Sequence, residues 1–65
     1  MIDAEELSKR IIYYRAVNKI SLNSLTKQLG ISINTLQKII KKQYVKEITR
    51  IYVWEKMEKI EKGGI

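Results

Sequence analysis

The chain contains no cysteine and no histidine. The groups left for chemistry are the amides, hydroxyls, amines, guanidiniums and carboxylates of the other polar side chains. A disulfide framework and a thiolate metal site are therefore excluded, and the commonest metal ligand and near-neutral general base is missing. Four tyrosines could act as nucleophiles, but only three arginines accompany them, which leaves no cluster suited to phosphoryl transfer. We therefore expect a binding protein that uses no metal or cofactor, and not an enzyme.

Positive charge is concentrated in one long segment of the chain. All seven acidic residues lie within residues 3–6 and 47–61, so residues 7–46 contain no acid. The basic residues of this acid-free segment are Lys9, Arg10, Arg15, Lys19, Lys27, Lys38, Lys41, Lys42 and Lys46. A lysine-rich surface that serves only solubility usually carries acids as well, so this segment predicts binding to a polyanion such as nucleic acid.

The apolar residues on either side of Gly30 have the spacing of two short helices. Leu25 and Leu29 are four positions apart and share one helix face, and Leu36 and Ile39, three apart, share another. Gly30 suits the left-handed conformation in which many helices end. An ordinary helical hairpin would show the same spacing, and the positive charge around the segment favours a DNA-binding helix-turn-helix instead.

Serines mark the starts of these two helices. Ser21 and Ser32 are suited to cap helices at 22–29 and 33–42, with a turn at 30–32 between them. Such a turn holds two helices at a steep angle and leaves the second free to enter a DNA major groove.

The whole chain is predicted to be one all-α domain, a small four-helix domain with helices at about 3–18, 22–29, 33–42 and 47–61. Gly63 and Gly64 should end the fourth helix and leave Ile65 as a frayed tail. No segment has the length and apolarity of a membrane span or a signal peptide, so we expect a cytoplasmic protein. A single domain of this size offers no evident site for a small-molecule inducer.

Residues 21–40, with the sequence SLNSLTKQLGISINTLQKII, resemble the helix-turn-helix of phage-repressor and Cro-type DNA-binding proteins. In that family a Ser or Thr caps the first helix of the motif, and Gly-apolar-Ser forms the turn. The preceding Ile11, Tyr14 and Arg15 resemble the family's first helix. The resemblance implies a sequence-specific regulator, bacterial or phage-encoded, that binds double-stranded DNA.

Three positions depart from the family pattern. Thr26 stands where Ala is usual, and its hydroxyl needs a partner. Ile40 replaces an acid that often pairs with the arginine matching Arg15, so that bridge is absent. Lys42 replaces a glycine that often ends the recognition helix.

The resemblance implies that the start and the exposed face of the second motif helix contact base edges. The positions concerned are Ser32, Ile33, Asn34, Gln37, Lys38 and Lys41. The planar amides of Asn34 and Gln37 match N6 and N7 of adenine, Lys38 can donate to guanine or phosphate, and Ile33 can contact a thymine methyl. Asn34 is also common at helix starts and Gln37 is a neutral exposed helix former, so each has an alternative structural explanation.

Contacts to the DNA backbone are expected from the start of the first motif helix and from neighbouring lysines. These residues are Asn23, Ser24, Lys27, Lys42 and Lys46. They would position the protein on DNA without specifying a sequence.

The fourth helix carries apolar residues on two sides, which predicts burial on two sides. One side can pack on the rest of the domain, and the other can pack on a two-fold copy, with the interface formed by Val53, Trp54, Met57 and Ile60. Such a homodimer would place two recognition helices about 34 Å apart on a palindromic site. The alternative is that the small domain itself surrounds the helix.

Three function classes compete on these observations. The first is a small phage or plasmid repressor or activator that binds double-stranded DNA. The second is an excisionase-like or architectural protein that uses the same helix to bend DNA. The third is an antitoxin or anti-regulator whose basic face binds an acidic protein.

Overall fold

The computed structural model describes residues 2–63, which form four helices and no strand. Helix α1 spans Ala4–Asn18, α2 spans Leu22–Leu29, α3 spans Ile33–Ile40 and α4 spans Glu47–Glu61. The predicted small four-helix, all-α class is confirmed. None of the helices in this described part combines the length and the apolarity that crossing a membrane requires. The predictions for Gly64 and Ile65 lie outside the described residues.

Short polar side chains set where the first three helices begin. The Asp3 carboxylate accepts a hydrogen bond from the Glu5 amide at 3.0 Å. Ser21 and Ser32 each accept from the amide three residues later, at 3.1 and 3.2 Å. Both serine caps are therefore confirmed, and they fix the starts of the two motif helices.

Within residues 2–63, a residue with positive φ ends or follows each of the four helices, and Gly63, one of the two glycines expected to end α4, has a φ of 109° just after it. Gly30 has a φ of 72° after α2, as its residue type predicts, whereas Lys19 and Lys42 adopt φ values of 53° and 62°. The expected end of α3 at Lys42 is wrong, because the helix stops at Ile40. Lys42 lies in a turn and its amide donates to the Ile39 carbonyl at 3.0 Å. A left-handed lysine costs about 1–2 kcal/mol, so glycine would be favoured at this position.

The core lies between two helix pairs, since α1 and α2 each pack against both α3 and α4. Its buried apolar residues come from all four helices and from the connector between α3 and α4. They are Leu7, Ile11, Leu25, Leu29, Leu36, Ile39, Val45, Val53 and Met57.

The orientation of α4 corrects the predicted dimer interface. Val53 and Met57 are fully buried in the domain's own core, so neither side chain is available to a second copy. Trp54 and Ile60 are half-buried and pack against that core. The sequence predicted burial on two sides of α4, but within this chain only the side with Val53 and Met57 is buried and the side with Ile48 is exposed. The spacing alone did not reveal which side the core would take.

Candidate nucleic-acid interface

Helix α3 presents one polar face to solvent and one apolar face to the core. Leu36 and Ile39 are buried, whereas Asn34, Gln37 and Lys38 are exposed. At about 100° per residue the three polar side chains fall within one narrow arc of the helix. The helix is therefore fixed on its inner side and open along its outer side.

The amides of this outer face are not engaged by the protein. Within residues 2–63, neither Asn34 nor Gln37 makes a side-chain hydrogen bond. The side chain that caps the start of α3 is Ser32 and not Asn34. Helix-start chemistry therefore does not account for the Asn34 side chain. Both amides keep a free donor and a free acceptor, which is the requirement for a two-point contact with an adenine edge.

The remaining predicted base-contact positions lie at the two ends of α3. Ser32 is exposed, and its hydroxyl also donates to the Thr35 hydroxyl at 3.0 Å. Ile33 is only half-exposed, and Lys41 is exposed in the turn that follows the helix. The structure thus brings the six predicted positions onto α3 and its immediate flanks.

The predicted phosphate-contact positions are all exposed. Asn23, Ser24 and Lys27 lie on α2, and Lys42 and Lys46 lie in the connector to α4. The Thr26 hydroxyl, which stands where phage-repressor and Cro-type proteins usually have an Ala methyl, donates to the backbone carbonyl of Asn23 at 2.6 Å. The departure is therefore accommodated within α2 itself.

The turn between α2 and α3 is held by the helix before it and by α4. The amides of Gly30 and Ile31 both donate to the Thr26 carbonyl, at 2.8 and 3.2 Å. A Cβ at Gly30 would lie 3.0 Å from the Tyr52 hydroxyl of α4. Position 30 therefore combines a left-handed backbone with close contact from α4, and both favour glycine.

The connector between α3 and α4 is anchored to the core through Val45, while its polar side chains are exposed to solvent. Val45 is buried, and the guanidinium of Arg50 donates to the Val45 carbonyl and to the Ile2 carbonyl. A shallow cleft brings Lys38 of α3 beside Tyr44 and Lys46 of the connector. The end of α3 and the connector thus form one continuous basic surface.

Tyr44 is a candidate contact residue that sequence reasoning missed. Its side chain is 81% exposed and lies between the exposed residues Lys42 and Lys46 of the connector. An exposed aromatic ring among lysines can stack on or hydrogen-bond to a nucleic acid. The sequence carries the signal as a tyrosine within the acid-free basic segment.

Ion pairs compensate the basic segment at one end only. Lys9 pairs with Glu5 at 3.7 Å, and Arg10 forms a two-point pair with Glu61 while its guanidinium lies 4.3 Å from the centre of the Trp54 ring. The hydrogen bond to Glu61 raises the pKa of Arg10 and outweighs the opposing effect of burial. The other seven basic residues of the segment make no ion pair within residues 2–63.

Two contacts replace the arginine–acid bridge that is absent at Ile40. Arg15 donates through Nε to the Ile20 carbonyl at 3.1 Å, which holds the turn between α1 and α2. The buried Ser8 hydroxyl donates to the Ile40 carbonyl at 2.9 Å and so ties α1 to the end of α3. Neither contact was predicted.

Comparison of the chain with protein-family models, with curated proteins and with solved structures finds no match. The assignment of a role to this surface therefore depends on the geometry and charge of the chain itself.

Proposed function

We propose that this chain is a sequence-specific transcriptional regulator that binds double-stranded DNA and reads the major groove with α3. The observation that carries the proposal is the outer face of α3. Asn34, Gln37 and Lys38 are exposed there and make no side-chain hydrogen bond or ion pair within residues 2–63. The inner face of the same helix is fixed by Leu36 and Ile39.

The dimensions of α3 suit duplex DNA. Eight helical residues span about 12 Å, and a helix with side chains is about as wide as the major groove of B-DNA. The unpaired lysines of α2, α3 and the connector would neutralise phosphates on either side of the groove. The fit of α3 to the major groove and the lysines on either side of it favour duplex DNA over an acidic protein as the partner of the basic face.

The proposal divides the interface into two sets of residues. Base edges are contacted by Ser32, Ile33, Asn34, Gln37, Lys38 and Lys41. Phosphates are contacted by Asn23, Ser24, Lys27, Lys42 and Lys46, with Tyr44 added from its position in the connector. Such a regulator, whether repressor or activator, would act on DNA in the cytoplasm of a bacterial or phage-infected cell.

The direct test is selection of a binding site from random duplexes, followed by fluorescence anisotropy against a scrambled duplex over a salt titration. We expect a preferred sequence with an affinity at least 10³-fold above the scrambled duplex at moderate salt. Salt-dependent binding without sequence preference would favour the architectural class. Absence of duplex binding would contradict the proposal and favour the protein-interaction class.

Substitution of one amide tests base readout. Gln37→Ala should weaken binding to the selected site by about 1–3 kcal/mol and leave binding to the scrambled duplex nearly unchanged. Gln28→Ala, which removes an exposed amide from α2 instead, should leave the discrimination intact. Equal losses on both duplexes for Gln37→Ala would show that this side chain does not read bases.

Substitution of one lysine tests phosphate contact. Lys46→Ala should weaken binding to every sequence and flatten the slope of log affinity against log salt by about one unit. Lys59→Ala removes the same charge from the far half of α4 and should leave the slope unchanged. A slope that Lys46→Ala does not alter would remove Lys46 from the interface.

A further inference from the structure

The second half of α1 carries exposed apolar side chains that the domain does not cover. Tyr13 is 72% exposed, Val17 is 58% exposed and Ile12 is 48% exposed. Together with the exposed Ala16 they fall within an arc of about 140° on the side of the helix opposite the buried Ile11. We call Ile12, Tyr13, Ala16 and Val17 the α1 patch.

A shallow groove beside the α1 patch combines apolar and positively charged residues. Its lining comes from the end of α1 and the turn after it: Ile12, Arg15, Ala16, Lys19 and Ile20. Arg15 and Lys19 are exposed and make no ion pair within residues 2–63. The Arg15 hydrogen bond to the Ile20 carbonyl uses only Nε of the guanidinium. The groove therefore offers apolar surface next to two cations that can each accept an anionic partner.

On its other side the α1 patch borders the end of α4. Tyr13 and Val17 line a second shallow groove together with Ile60. The acid in the lining of this groove, Glu61, is already paired with Arg10 at 2.8 Å. A helix ridge with a groove on either side is a shape against which another helix can pack.

The charge around the α1 patch determines which partner is complementary. Residues 12–20 contain no acid, and the acids nearest along α1, Glu5 and Glu6, lie at least about 9 Å before Ile12. A nucleic acid would satisfy the cations, but its interfaces are more polar than those between proteins and would leave the apolar side chains without cover. A second copy of the same groove would set Arg15 and Lys19 against like charges. A complementary partner brings both carboxylates and apolar side chains.

We propose that the α1 patch, with Arg15 and Lys19 beside it, binds an amphipathic helix of another protein that carries acidic residues along its apolar face. The apolar side chains of that helix pack on the patch, and its carboxylates pair with the two cations. Because the surface covers only about two helical turns, the complex is expected to be weak and transient.

The α1 patch is separate from the proposed DNA interface. Helix α1 packs against α3 and α4 through its opposite, buried side, so the patch is turned away from the outer face of α3. The chain can therefore hold an acidic partner while α3 lies on DNA. The inference goes beyond the proposed function and does not depend on it.

The test uses two synthetic amphipathic helical peptides with the same leucine face, one flanked by glutamates and the other by lysines. Each peptide is titrated into the isotope-labelled chain and followed by the amide signals in NMR spectra. We expect the glutamate peptide to shift the signals of residues 12–20 with a dissociation constant below about 1 mM, and the lysine peptide to leave them in place. Equal binding of both peptides, or a glutamate peptide that does not shift residues 12–20, would overturn the proposal.

An acidic substitution within the patch locates the binding surface. Val17→Glu should weaken binding of the glutamate peptide at least about tenfold, because it sets a carboxylate against those of the peptide. The helical circular dichroism signal should stay unchanged, because this side chain lies outside the core. The matched control is Ile48→Glu, which places the same charge on an exposed apolar residue of α4 and should leave the affinity unchanged. A Val17→Glu variant that binds as well as the wild type would remove the α1 patch from the interface.

Removal of one cation tests the charge pairing. Lys19→Gly should weaken binding of the glutamate peptide about two- to fivefold and keep the turn intact, because glycine readily adopts the φ of 53° found at this position. Lys46→Ala removes the same charge from the connector and should leave peptide binding unchanged. Equal losses in the two variants would show that the peptide responds only to net charge, which would overturn the pairing with Lys19.

Two measurements distinguish other occupants of the patch. Binding to phosphatidylglycerol vesicles that Val17→Glu abolishes would assign the patch to a lipid surface. A dimer in sedimentation velocity that Val17→Glu dissociates would assign it to a second copy. Either result would overturn the proposal, and neither is expected. A chain that binds the glutamate peptide but no duplex would overturn the proposed function and leave this inference in place.

Discussion

Helices α3 and α4 differ in how many of their sides are apolar. In α3 the buried residues Leu36 and Ile39 lie on one side, and the opposite side carries amides and a lysine. In α4 apolar residues occupy both the buried side, at Val53 and Met57, and an exposed side around Ile48. A one-sided pattern predicts which residues face outward, whereas a two-sided pattern predicts only that both sides need cover.

The largest expected effect distinguishes the two sides of α4. Met57→Ala should lower the free energy of unfolding by about 2–5 kcal/mol, because it leaves a cavity in the core. Ile48→Ala should change it by less than about 0.5 kcal/mol when measured at low micromolar concentration, because that side chain is exposed. Urea denaturation measures both. Equal losses of unfolding free energy in the two variants would contradict the assignment of Met57 to the buried side and Ile48 to the exposed side of α4.

The next effect concerns the contact between α4 and the turn before α3. Gly30→Val should destabilise the fold by about 1–3 kcal/mol, because a branched side chain is strained at a φ of 72°. Gly30→Ala should cost less in a Tyr52→Phe background than in the wild type, because the hydroxyl nearest to the added Cβ is then missing. Thermal unfolding of the four chains measures this coupling. An identical cost in both backgrounds would show that Tyr52 does not press on the turn.

The smallest effect separates stability from binding at the end of α3. Lys42→Gly should raise the free energy of unfolding by up to about 1 kcal/mol, because glycine adopts the left-handed conformation without strain. The same change should flatten the salt slope of DNA binding by about one unit. Lys41→Gly is the matched control, because Lys41 has a negative φ and gains nothing from glycine there. This variant should be less stable than the wild type. A Lys42→Gly variant without a gain in stability would contradict the argument from strain.

Local signals in the sequence predicted the motif well. Ser21, Gly30 and Ser32 act within three or four residues of their own positions, so their roles follow from residue type and spacing. The outer face of α3 followed because its apolar residues occupy a single side. The role of that face in binding DNA stays a prediction.

Signals that depend on packing between helices were missed. The Ser8 hydroxyl finds the Ile40 carbonyl only because α1 packs against α3, which no local pattern reveals. Lysine is a good helix former, so Lys41 and Lys42 favoured two further helical positions, whereas α3 ends at Ile40. The choice of the buried side of α4 likewise required the positions of the other three helices.

Arg50 links the start of the described chain to the connector between α3 and α4. One guanidinium holds the Ile2 carbonyl, before α1, and the Val45 carbonyl, before α4. Release of either segment leaves a backbone acceptor without its donor, so we expect Ile2 and the connector to open together in local unfolding. The position of the connector lysines therefore depends in part on the segment before α1. Hydrogen exchange of the amides in the two segments is expected to report one shared opening event.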